Sequence, residues 1–134
     1  MILVDAGPLV ALVHADDAEH ERCKEAFRGM REPLGTAWPA VTEAIYLLGF
    51  SLTAQEALWD MIERGVVVLL PLDAEDVPRM RDLMRKYRSL PMDLADAALV
   101  RLAERERLSR IFTIDRRDFQ IYRIGRAGRF SIIP

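Results

Sequence analysis

The sequence predicts an α/β fold built on a parallel sheet. Short apolar runs alternate along the chain with longer stretches of helical spacing. Strands separated by helices need crossover connections, and crossovers make neighbouring strands parallel. The 134-residue length suits one domain around one core, spanning 1–134.

Residues 2–4 are a buried strand ending in Asp5. A turn at Ala6 to Pro8 leads into a short helix through Leu9, Val10, Leu12 and Val13. Asp16 or Asp17 caps a helix over 18–28 with Cys23, Ala26 and Phe27 on one face. After a loop over 29–33, residues 34–38 form the second strand. Pro39 opens a helix over 40–48 that Gly49 stops. Thr53 and Glu56 have capping-box spacing and open a helix ending at Gly65. Residues 66–70 form the third strand, with three β-branched residues and a stop at Pro71. A helix runs from Asp73 or Ala74 to about Arg88. Asp93 leads into the strongest helix, 94–108, and residues 110–115 are a strand ending in Asp115. Segments 119–124 and 130–133 are expected as short edge strands.

Composition narrows the function. With 51% hydrophobic and 30% charged residues, disorder is excluded. No apolar run approaches the ~20 residues that span a bilayer, so no membrane role is expected. The N-terminus lacks a basic segment, which predicts a cytoplasmic chain. Cys23 has no partner for a disulfide, and His14 and His20 belong to no metal cluster. Trp38 and Trp59 are expected in the core or an interface. No nucleotide-binding, hydride-transfer or serine-hydrolase signature is present. Net charge is −2, but residues 1–67 carry −6 and residues 68–134 carry +4. Seventeen of the nineteen basic residues are Arg. Arg forks match phosphate, although charge of this kind also serves a solvated face.

The acids carry the chemistry. Asp5 and Asp115 each end a strand, and if those strands are parallel neighbours both carboxylates lie on the rim where ligands bind in such sheets. Glu43 lies near the start of the helix after the second strand. Asp93 and Asp96 stand at i and i+3 on a helix start. Convergent carboxylates repel, and a hard divalent cation is the usual compensation. Each acid also has a structural reading. Asp5 suits a turn, Glu43 a solvated helix face, and Asp93 an N-cap with Asp96 at N3. Asp115 and Asp118 could pair locally with Arg116 and Arg117.

Four segments, in order, resemble the motifs of PIN-domain nucleases. They are 1–13 with Asp5, 41–44 with Glu43, 96–100 with Asp96, and 113–119 with Thr113, Asp115 and Asp118. The compact length is similar to VapC-type toxins. The resemblance implies a PIN-like three-layer α/β/α fold and a Mg²⁺- or Mn²⁺-dependent endoribonuclease acting on RNA. It also implies a homodimer and a cognate antitoxin. By the same resemblance Asp5, Glu43, Asp96 and Asp115 are the catalytic and metal-binding acids. Asp93 and Asp118 are additional candidates, and Thr113 is a supporting residue that bonds a carboxylate or the scissile phosphate. Arg116, Arg117, Arg123, Arg126 and Arg129 are RNA-binding candidates. The alternative is a catalytically degenerate PIN-like module that binds RNA or protein. A phospho-receiver reading fails for want of a Lys after a late strand, since Lys24 and Lys86 fall on helices.

Overall fold

Every strand in this computed structural model, which describes residues 1–134, is three residues long. β1 (Ile2–Val4), β2 (Leu34–Thr36), β3 (Val67–Leu69), β4 (Arg110–Phe112) and β5 (Ser131–Ile133) form one sheet. Their order is β3-β2-β1-β4-β5, and all four pairings are parallel. β1 is buried along its length, so it reads as an unbroken apolar run. Its side chains alternate: Ile2 and Val4 join the core on one face, Leu3 the core on the other.

Helices cover both faces, as the three-layer expectation requires. They are α1 (Ala6–Val13), α2 (His20–Arg28), α3 (Trp38–Leu47), α4 (Leu52–Glu63), α5 (Val77–Lys86), α6 (Leu94–Glu106) and α7 (Arg116–Ile121). Leu9, Cys23 and Leu58 bring α1, α2 and α4 onto one face. Leu83, Leu99 and Phe119 bring α5, α6 and α7 onto the other. α3 packs against both α1 and α6. No helix is long and apolar enough to cross a membrane.

α5 and α6 are also clamped by charge. Buried Asp76 accepts from Arg101 Nε at 2.7 Å and from an Arg105 guanidinium nitrogen at 2.8 Å. Arg79 grips Glu104 through both carboxylate oxygens. The Asp76 carboxyl also accepts from the Asp73 backbone N–H, and with the two arginines this holds it below its ordinary range.

Several boundaries differ from the sequence expectation. Segment 119–124 is no strand: Phe119 to Ile121 finish α7, and Ile124 makes a single antiparallel bridge to Gly128. The place beside β4 belongs to β5, so a second edge strand has nowhere to pair. The cap of α4 is Ser51, whose hydroxyl accepts from Ala54 N, and not Thr53. β2 stops at Thr36 because Trp38 already begins α3. β4 ends at Phe112, and Asp115 caps α7 three residues later. Ala6 and Gly7 are helix and not turn, and Pro8 sits in the first turn of α1, where a proline is suited. Trp38 and Trp59 are not core residues: they are 55% and 39% exposed and lie against each other, 6.4 Å between centroids. His20 is tied to the Ala11 carbonyl through Nδ1, and His14 packs on Phe50.

Candidate active site

Because β1 and β4 are parallel neighbours, the chain leaves both at the same edge of the sheet. Three helices begin there, and an aspartate caps each of them. Asp5 caps α1, accepting from Ala6 N at 2.8 Å. Asp93 caps α6, accepting from Asp96 N at 2.8 Å. Asp115 caps α7. The cap preference thus explains why these residue types sit at these positions, and the parallel topology brings them to one place. Glu43 reaches the same place from the second turn of α3, Asp96 from the first turn of α6, and Asp118 from the first turn of α7.

The result is a cleft of about 220 Å³ lined by Asp5, Glu43, Asp93, Asp96, Asp115 and Asp118. Its other lining residues are Ala6, Gly7, Pro91 and Ile114, so no basic side chain enters the wall. The positive ends of three helix dipoles offset part of the repulsion, though each counts for only a fraction of a charge. Asp96, Asp115 and Asp118 each place a carboxylate oxygen within 4.8 Å of the others. Glu43, Asp93 and Asp115 are exposed, whereas Asp5 and Asp96 are only 9% and 8% exposed.

Burial dominates the electrostatics. It pushes the Asp5 carboxyl up to about 6, against the opposing bonds from Ala6 and Thr113. Burial and then the charge of Asp5 push Asp96 up to about 8. Glu43 is raised by partial burial and Asp93, and Asp118 by burial and Asp115. A cleft whose only charged lining is carboxylate, and whose buried members resist ionising, fits a hard divalent cation.

Two hydroxyls brace this arrangement. Buried Thr113 donates to Asp5 Oδ2 at 3.0 Å and accepts from Asp115 N at 3.0 Å, tying two acids through one oxygen. Of the two partners expected for Thr113, the structure therefore supplies the carboxylate. Tyr122 donates to Asp96 Oδ2 at 2.7 Å. Sequence reasoning missed Tyr122, because its contact is long-range and no motif surrounds it.

A family profile described as the PIN domain matches residues 2–126. The chain belongs to the PIN domain family. It is 29% identical to Ribonuclease VapC26 of Mycobacterium tuberculosis over 99% of this chain and 100% of that one. The PIN fold is similar to the crystal structure of Mycobacterium tuberculosis VapC20, described as a sarcin-ricin loop cleaving toxin. There the TM-score is 0.74 at 18% identity, over 83% of this chain and 87% of that one. A toxin–antitoxin complex from Klebsiella pneumoniae superposes with TM-score 0.69 at 16% identity, over 98% and 97% of the two chains. VapBC2 from Rickettsia felis, bound to a promoter DNA fragment, gives 0.66 at 10% identity, over the whole of both chains.

The PIN cleft unites all six candidate acids but not all the candidate arginines. Arg116 and Arg117 begin α7 at its edge; Arg117 is exposed near Asp118, and Arg116 bonds the Pro134 carbonyl. Arg123 is turned back onto the carbonyls of Gln120, Ile121 and Tyr122. Arg129 lines a separate hollow with Arg107 and Ser109, where β4 begins and so at the sheet edge opposite the acids. Arg126 stands next to Gly125, whose N–H bonds Glu104 near the far end of α6.

Proposed function

We propose that this PIN domain is a metal-dependent endoribonuclease, the toxin of a toxin–antitoxin pair. One observation carries the reading: six carboxylates from four elements meet in one small cleft with no basic residue in its wall. Asp5, Glu43, Asp96 and Asp115 would hold Mg²⁺ or Mn²⁺, with Asp93 and Asp118 completing the oxygen shell. When bound, the ion supplies charge neutralisation at a phosphoryl group and makes water a better nucleophile. The protein's own residues do the rest. Asp5 and Asp96 are fixed by Thr113 and Tyr122, so their oxygens are placed before any ligand arrives. The exposed acids Glu43 and Asp115 are open to water and substrate, and each can take a proton from an attacking water. Arg117 stands where the RNA backbone would pass, and Arg116 adds charge beside it.

The substrate class in this reading is RNA, and because phosphate contacts carry no sequence choice, the cut site would be chosen by RNA shape and unpaired loops. The partners are a second copy of the chain and an antitoxin. Trp38, Tyr46, Phe50, Leu52 and Leu94 are all at least half exposed, and this is apolar surface of the kind such partners cover. The whole of 1–134 acts as one cytoplasmic unit in this reading.

The test is cleavage of a labelled structured-RNA pool with Mn²⁺ or Mg²⁺, against EDTA and against Asp96→Asn. Cuts that need the metal and vanish in the variant support the reading. A chain that neither cuts nor binds metal would be a binding module.

A further inference from the structure

We infer that Tyr122 is a positioning residue for the metal-binding carboxylates, acting on Asp96 as Thr113 acts on Asp5. The inference rests on the metal-dependent reading above.

The two acids buried most deeply in the cleft each receive one side-chain hydroxyl: Asp5 Oδ2 from Thr113 at 3.0 Å, Asp96 Oδ2 from Tyr122 at 2.7 Å. Neither has an Arg or Lys partner. The contrast within the molecule is sharp, because buried Asp76 is held by two arginines. A guanidinium would neutralise the carboxylate and compete with a cation. A hydroxyl fixes the group and leaves its negative charge for the metal.

Tyr122 is built to hold its hydroxyl still. It is fully buried, and its ring meets Tyr87 at 5.0 Å and Phe119 at 5.1 Å, both edge to face. Phe119 is braced in turn by Phe130 at 5.3 Å. The backbone N–H of Tyr122 closes α7 on the Asp118 carbonyl at 3.0 Å. One short helix therefore delivers Asp115 from its N-cap and Asp118 from its first turn to the cleft, and the hydroxyl on Asp96 from its C-cap. A carboxylate turns easily about its last torsion, so an unbraced Asp96 would have to be ordered by the incoming ion. Outer partners of this kind are worth about 10–100-fold in metal affinity.

Tyr122→Phe keeps the ring and its packing and removes only the donor. Mn²⁺ affinity is read directly from the electron paramagnetic resonance signal of free Mn²⁺, without RNA. The expected result is a dissociation constant weakened roughly tenfold. Cleavage then needs more Mn²⁺ but returns to the wild-type rate at saturation. Tyr87→Phe is the control. Its hydroxyl accepts from Arg123 N at 3.0 Å in the same aromatic cluster and does not touch Asp96. It should bind Mn²⁺ like wild type. Wild-type affinity in Tyr122→Phe overturns the inference, as does an equal loss in Tyr87→Phe, which would place the effect in the packing. If the wild-type chain itself takes up no Mn²⁺, the metal reading falls and the inference with it.

Discussion

Without a divalent ion, the cleft should make the protein less stable as pH rises, the reverse of the usual effect of carboxylates. Asp5 titrates near 6 and Asp96 near 8 in the folded chain, against 3.8 for an ordinary aspartate. The folded state therefore holds protons that the unfolded state has released. Stability from these groups is full below about pH 4 and is lost as pH climbs through the folded values. From pH 5 to 8, Asp5 contributes about one unit and Asp96 about three, at about 1.4 kcal/mol per unit. For these two groups that sets an upper figure of about 5 kcal/mol, and Glu43 and Asp118, also raised, act in the same direction. The cleft is open to solvent through Glu43, Asp93 and Asp115, which screens the pair, so about half that figure, ~2–3 kcal/mol, is expected. For a chain of this size that is a fall in Tm of roughly 10 °C. Asp76, Glu32 and Glu104 have lowered values, so their stabilisation is already complete above about pH 5 and does not mask the slope. The assay is thermal unfolding in EDTA across pH 5–8, repeated with Mg²⁺ and with Asp96→Asn. Asparagine still accepts from Tyr122 but never ionises. The variant should be more stable than wild type at pH 8 and close to it at pH 5. Mg²⁺ at a hundred times its dissociation constant should restore about 2.7 kcal/mol to wild type and much less to the variant, whose remaining acids bind the ion more weakly. A wild-type Tm that is flat or rising over this range in EDTA would refute the reasoning. So would an Asp96→Asn chain no more stable than wild type at pH 8.

Three further outcomes follow from the geometry. Asp5→Ala should abolish RNA cleavage while leaving the circular dichroism spectrum folded; full activity would remove Asp5 from the site. Gly7→Ala would set a methyl group 2.7 Å from Ile114 Cγ1, directly before Asp115. The helix propensity gained in α1 offsets much of the strain, so the Tm should hold within a few degrees, whereas cleavage should fall by roughly tenfold or more. Asp76→Ala should cost about 3 kcal/mol, because Arg101 and Arg105 lose their shared anion. Urea unfolding reads that loss, and Mn²⁺ affinity at a temperature where the variant is folded should be unchanged.

The parts of this fold that could be read from sequence are those where local and long-range requirements coincide. β1 is a short unbroken apolar run closed by Asp5 and a Gly-Pro pair, and it is a strand buried on two faces, so its length, composition and flanking residues identify it. Asp5, Asp93 and Asp115 are N-caps, a local role with a strong residue preference. Parallel topology then brings the local caps to one rim. For Asp93 the cap and the site reading therefore need not compete, since it bonds Asp96 N and lines the cleft at once. The failures have the opposite character. Residues 119–124 carry β-favouring Phe119, Ile121 and Tyr122, but the edge of β4 is taken by β5, and the Asp115 cap turns the segment into helix. In sequence Arg123 and Arg129 carry the same charge as Arg116 and Arg117, and only the structure shows Arg123 laid on the carbonyls that end α7 and Arg129 in the hollow where β4 begins.

Tyr122 shows where the limit lies. Its bond to Asp96 spans 26 residues and depends on α6 and α7 both packing on the same face of the sheet. Nothing local to Tyr122 encodes that meeting. The cleft wall holds no basic side chain, and the two buried acids are held by neutral donors instead. Thr113 and Tyr122 are the only two side chains that donate to the cleft's acids, and both are fully buried. A buried hydroxyl that reaches a carboxylate no basic side chain touches fixes the group without neutralising it.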